Sequence, residues 1–216
     1  MKRTNFSSIV VVLIFVLGGV LHASTTNIVS QDIAVSEQAP AINQNGADLA
    51  LWWTEDYNYN YQFYLRFNYA FGDLSDATIS LYLTDIYSNK EPGSDLNSTV
   101  TVYGLTDGSA GESFDETAMT WNNKAPLGTA LFTQDIIFNN TPIKGKFPVG
   151  EWVDFQSEEL ANFIMASTNN IVSFAFVITG GDSWTKYYFT PRTWGKPAKL
   201  VTVEDEVTMG SITVVK

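Results

Sequence analysis

The chain has 216 residues with 12 basic and 23 acidic side chains, a net charge of −11, and 14 % aromatic against only 16 % charged residues. It has no cysteine, and its one histidine is His22. Disulfide stapling, lipid attachment through cysteine and cysteine-based catalysis are thereby excluded, and the acidity disfavours a nucleic-acid partner.

Residues 1–23 read as a secretory signal peptide. Lys2 and Arg3 precede the apolar run 9–17, Gly18 and Gly19 break it, and Leu21-His22-Ala23 forms a small-residue cleavage site before Ser24. The run is shorter than the roughly 20 apolar residues of a spanning helix, so no membrane association is expected after cleavage, and the mature chain is expected to be secreted or periplasmic. The signal takes two cations and no acids, which leaves 10 basic against 23 acidic residues, or −13. The mature chain then contains no histidine. Ser-His-Asp chemistry, zinc held by His or Cys, and proton transfer by imidazole are unavailable to it.

After a linker at 24–29, residues 32–35 read as a short edge strand and 36–46 as a loop. Residues 47–53 alternate, with Leu49, Leu51 and Trp53 on one face and Trp52 on the other. A tyrosine-bearing turn (54–60) leads to a strand at 61–70. There Phe63, Leu65 and Phe67 alternate with Gln62, Tyr64, Arg66 and Asn68, the pattern of a sheet buried on one side. Further strands are expected at 76–83, with Ala77, Ile79, Leu81 and Leu83 inward, and at 99–105.

The segment 114–126 reads Phe-Asp-Glu-Thr-Ala-Met-Thr-Trp-Asn-Asn-Lys-Ala-Pro. Alternation over 117–121 predicts a brief strand stopped by Asn-Asn and the following Pro. Residues 127–138 and 151–155 are expected as strands. Ser157 is placed as a helix N-cap, with Glu158 and Glu159 in the first turn and Leu160, Phe163 and Ile164 on one apolar face. Residues 171–178 read as a buried strand, Gly180-Gly181-Asp182 as a turn, and 183–190 as the returning strand. The last stretch, 205–216, is either one more strand or a tail. The expected fold is all-β: one antiparallel jelly-roll β-sandwich over 30–204 with a single short helix.

The order aromatic-x-Glu-x-x-aliphatic-Thr-Trp-x-Asn-x-x-Pro at Phe114, Glu116, Met119, Thr120, Trp121, Asn123 and Pro126 resembles the central signature of DNRLRE domains. These are secreted β-sandwich modules grouped with carbohydrate-binding module family 96. The family usually has Trp where Phe114 stands. Asn45-Gly46, Leu49-Ala50-Leu51, Tyr64-Leu65-Arg66-Phe67 and the closing Pro197-Ala198-Lys199-Leu200 resemble further parts of its pattern, with Asn68 in place of the usual Asp. The resemblance covers roughly residues 30–203. It implies a non-catalytic module that binds an extracellular polysaccharide, and alginate, a chain of uronic acids, is the family's best-known type of ligand.

Candidate ligand contacts are Trp52, Tyr57, Tyr59 and Tyr64, with Trp184 and Trp194 flanking a cationic stretch. Arg66, Lys186 and Arg192 are candidates for carboxylate capture, since an arginine fork grips carboxylate in bidentate fashion. Ion pairing with the abundant acids is the competing role for each. Trp53, Trp121 and Trp152 are expected in the core. Asp115 and Glu116 are read as capping, turn or calcium-ligating acids before catalytic ones. Structural calcium stays open as the one cofactor, although no contiguous loop supplies an EF-hand-like oxygen set. A protein partner for an exported adhesion module is the second reading. A lyase using Tyr187 or Tyr188 with Lys186 or Arg192 is the third. Nothing in the pattern specifies an oligomer.

Overall fold

A computed structural model describes residues 24–55, 59–69, 72–109 and 111–204. The signal segment and the 205–216 stretch lie outside the described residues. Ten strands and one helix follow in chain order: β1 Ser24–Ser36, β2 Leu49–Trp52, β3 Tyr61–Asn68, β4 Leu74–Ser88, β5 Leu96–Leu105, β6 Thr129–Phe138, β7 Gly145–Gln156, α1 Glu158–Met165, β8 Ile171–Gly181, β9 Lys186–Phe189 and β10 Lys199–Glu204.

All pairings are antiparallel. One sheet runs β1-β10-β4-β7 and the other β3-β8-β5-β6. That interleaved order is the jelly-roll arrangement. The short strands β2 and β9 pair with each other and bridge β3 to β4. β1 belongs to both sheets. Its first half pairs with β10 and its second half with β3, across a register shift between Val29 and Gln31. Residues 24–29 are therefore strand and not linker, and 32–35 lies against β3 as part of a 13-residue strand.

Alternation works as expected for the interior. Phe63, Phe67, Phe174 and Phe176 from one sheet meet Ile79, Leu81 and Phe155 from the other and Phe189 from the bridging strand β9. Phe155 packs edge-on against Phe176 with ring centroids 5.2 Å apart, and Phe63 against Phe189 at 5.8 Å. Helix α1 touches β4 and β6 and closes one end of the sandwich. Ser157 Oγ accepts the Leu160 N–H at 3.1 Å, and Leu160, Ala161 and Ile164 are buried. Phe163 reaches Phe174 and lies so close over Gly104 that a Cβ there would stand 2.5 Å from its ring.

The one-sided sheet expected around 61–70 is corrected by the structure. The outer face of β3 is also buried, because a second apolar cluster forms there. Ile33, Val35, Tyr64, Leu105 and Ala175 from the sheet are covered by Phe114, Met119 and Ala125. The cover is the 111–126 segment, which runs as turns rather than as the short strand expected at 117–121. Side-chain acceptors take the amide groups a ladder would need: Asp115 Oδ1 accepts Thr117 N–H at 2.8 Å, and Asn123 Oδ1 accepts Thr120 N–H at 2.6 Å.

Candidate functional site

The sequence candidates separate into two groups. Glu116 and Asp32 are both buried, and Arg192 lies between them. Glu116 accepts the Asp32 N–H at 3.0 Å and Arg192 Nε–H at 3.2 Å, and a second, closer bond comes from Arg192 Nη2. Asp32 Oδ2 accepts the Arg192 backbone N–H at 2.5 Å. Burial pushes the Asp32 carboxyl up to about 6, against the opposing pull of Arg192, while the bonds to Glu116 hold the Arg192 guanidinium further up. Arg66 donates to the Phe114 carbonyl at 3.0 Å and lies over the Phe114 ring.

These residues latch the 111–126 segment to the sheet. Asn43 Nδ2 adds bonds to the carbonyls of Glu116 and Met119 at 2.9 and 2.7 Å. Arg192 is thus already engaged by protein carboxylates, and Lys186 does not join the two arginines. Tyr64, a candidate for ligand contact, is fully buried. Its hydroxyl donates to the Ala125 carbonyl at 2.7 Å and accepts from Gln62 Nε2, and burial raises its pKa. The alternation placed it on a polar face, but a phenol satisfies its one polar atom internally as readily as in water.

The second group is a surface cluster of rings around one cation. Antiparallel register sets Trp52 beside Tyr61 of β3 on one side and Lys186 of β9 on the other. Tyr59 stacks on Trp52 at 5.6 Å, Trp184 meets Trp52 edge-on at 5.9 Å, and Tyr61 lies 5.7 Å from Trp52. Lys186 Nζ sits 3.8 Å above the Tyr61 ring centroid, 4.9 Å from that of Tyr188 and 5.2 Å from that of Trp52. Burial brings the Lys186 ammonium down to about 8, partly countered by the Asp48 carboxylate.

Two local features mark this cluster. Trp184 has φ of 68°, a left-handed backbone that a bulky residue rarely adopts and that a surrounding structure must enforce. The Trp52 indole N–H is buried and has no acceptor among the described residues, although buried donors are as a rule paired. Tyr57 lies outside the described residues. Trp194 is elsewhere, 51 % exposed in the turn after Arg192.

Tyr61, which the sequence places beside the turn with Tyr57 and Tyr59, joins the cluster, as do Tyr188 and Lys146, which were not singled out as binding residues. Lys146 Nζ lies 4.3 Å above the Tyr188 ring. Strand pairing puts them there, and pairing partners far apart in sequence leave no local signal. Trp152, expected in the core, is 39 % exposed on the outer face of β7, while Trp53 and Trp121 are partly buried against the two apolar clusters. Tyr187 is sealed in the core with its hydroxyl on Ser98 Oγ at 3.1 Å, and burial pushes it up to about 12. Among the described residues no group of three or more His, Cys, Asp or Glu could hold a metal ion, and no helix is long and apolar enough to cross a membrane.

No family model and no curated protein matches the chain. Among solved structures it is similar to a cleaved adhesin domain of Lys-gingipain from Porphyromonas gingivalis. The identity is 12 %, over 85 % of this chain and 99 % of that one, with a TM-score of 0.32. A likeness at that level bears on neither ligand nor activity.

Proposed function

We propose that the chain is an exported, non-catalytic module that binds an acidic extracellular polysaccharide through the cluster of Trp52, Tyr59, Trp184 and Lys186. The observation that carries this reading is the packing of Trp52, Tyr61 and Tyr188 around one lysine, with Tyr59 and Trp184 against Trp52, at the surface of a strongly acidic protein. Indole and phenol faces stack on the C–H faces of pyranose rings, and the ammonium pairs with a uronate carboxylate. The resemblance to DNRLRE modules agrees with the same ligand class.

The test is titration of the protein with alginate or polygalacturonate and with a neutral glucan. Trp52→Ala and Trp184→Ala should each weaken acidic-glycan binding by about tenfold, in the range of central interface anchors. Lys186→Met should lower binding of acidic glycan selectively. Failure of the wild type to bind any acidic glycan, or release of unsaturated products absorbing in the ultraviolet, would overturn the reading.

A protein partner is the second reading, favoured by the free edge of β6. That strand pairs only with β5 among the described residues, and Ile137 on it is 62 % exposed. An exported adhesion module would use such an edge.

A further inference from the structure

The outer face of β4 carries a second group of rings and cations, separate from the Lys186 cluster. Tyr82 pairs across the strands with Trp152 of β7, and their rings meet edge-on at 5.4 Å. Lys196 Nζ lies 3.6 Å above the Tyr82 ring, and Lys199 Nζ, from β10, lies 4.2 Å above Trp152. Neither lysine makes an ion pair among the described residues. Five residues further along β4, Tyr87 lies opposite Lys186 on one side and Lys146 on the other, which is the margin of the first cluster.

Tyr82 and Tyr87 are an odd number of residues apart, so regular pleating would put them on opposite faces. The register shift between Leu83 and Asp85 reverses the parity, leaving Leu83 and Ile86 both inward and the two tyrosines both outward. Of the 12 basic residues, Lys2, Arg3 and Lys216 lie outside the described residues. Four of the other nine stand over rings on this one strip. Asp85 at its middle is paired with Lys146 at 3.4 Å. The face therefore gathers lysines and rings in an acidic protein, with Asp48 beside Lys146 and Lys186 and Asp154 exposed two residues along β7 from Trp152.

The geometry points to Tyr82, Trp152, Lys196 and Lys199 forming a second subsite for the same ligand, which makes that ligand an extended linear polyuronate lying along β4 and not a short oligosaccharide. This inference rests on the function proposed above. The two groups are about 16 Å apart at some 3.3 Å per strand residue. An exposed ammonium–ring contact is worth only about 0.5–1 kcal/mol, so a uronate carboxylate can draw each lysine away and leave the ring face to a sugar. Once one subsite is filled, engagement of the other is intramolecular, and affinity rises without any new kind of contact.

The experiment is a titration of the wild type, Trp152→Ala, Lys199→Met and Trp52→Ala with a size-graded series of oligouronates. Wild-type affinity should rise at least tenfold once the oligomer spans both groups. Trp152→Ala and Lys199→Met should abolish that rise and leave short-oligomer affinity unchanged, while Trp52→Ala should weaken binding at every length. Affinity independent of length, or a rise that survives both Trp152→Ala and Lys199→Met, would overturn the second subsite while leaving the first standing. Absence of binding at any length would overturn both.

Discussion

Arg192 grips Glu116 through both Nε and Nη2 across 76 residues of sequence, and the same carboxylate takes the backbone N–H of Asp32. Three segments remote in the chain meet at one ion pair with a fully hydrogen-bonded buried end. Arg192→Met would leave Glu116 and Asp32 buried without their cation. The expected cost is on the order of 3 kcal/mol, read as a lowered urea midpoint. Glu116→Gln combined with Arg192→Met should cost less than the sum of the single changes, because the two groups share one interaction. Glycan affinity of the folded variants should be unchanged, since the latch lies apart from the Lys186 cluster.

Asp32 gives the latch a pH signature. Its carboxyl titrates at about 6 in the folded protein and near 3.8 when unfolded. Between those values the folded state holds a proton that the unfolded chain has released. The stability Asp32 contributes is fully present below about pH 4 and lost as pH rises through about 6. Subtracting the stability profile of Asp32→Asn from that of the wild type should give a curve falling across this window. A flat difference would remove the assignment.

Lys186 sets the opposite limit on binding. With its ammonium brought down to about 8 by burial, affinity for an acidic glycan should hold between about pH 5 and 7, where uronates are ionised in the manner of ordinary carboxylates. It should then fall through about pH 8. Binding of a neutral glycan, and of acidic glycan to Lys186→Met, should show no such fall in a pH-resolved titration.

Tyr64→Phe removes a donor from a site with no access to water. The Ala125 carbonyl and one Gln62 N–H lose their partner, at a cost of about 1–3 kcal/mol. The far-UV circular dichroism should be unchanged, and faster amide exchange should be confined to the second apolar cluster.

Strand positions were largely legible because the interior is built on period-two alternation: Phe63-Leu65-Phe67 and Ala77-Ile79-Leu81-Leu83 face inward as their spacing predicts. Ser157 announced α1 through its cap. Three things were hidden. The 117–121 alternation is real, but Asp115 and Asn123 outcompete the ladder for its amides. Tyr64 looks polar, and only a cover arriving some 50 residues later makes its face interior. Trp152 looks like core and is not, because its strand partner Tyr82 faces outward. The aromatic candidates Trp52, Tyr59 and Trp184 were readable as exposed rings beside turns. Their gathering at Trp52, beside Lys186, depends on β2–β9 pairing across more than 130 positions, which no window of sequence contains.

β1 completes both sheets, and its first half can pair only with β10, the last strand described. During folding the flank of β4 that β10 covers must therefore stay open, along with the first half of β1, until residues 199–204 arrive. Such end-to-end closure is slow, and unpaired flanks invite neighbouring chains. The yield of folded protein is thus expected to depend on what shields those edges during that interval.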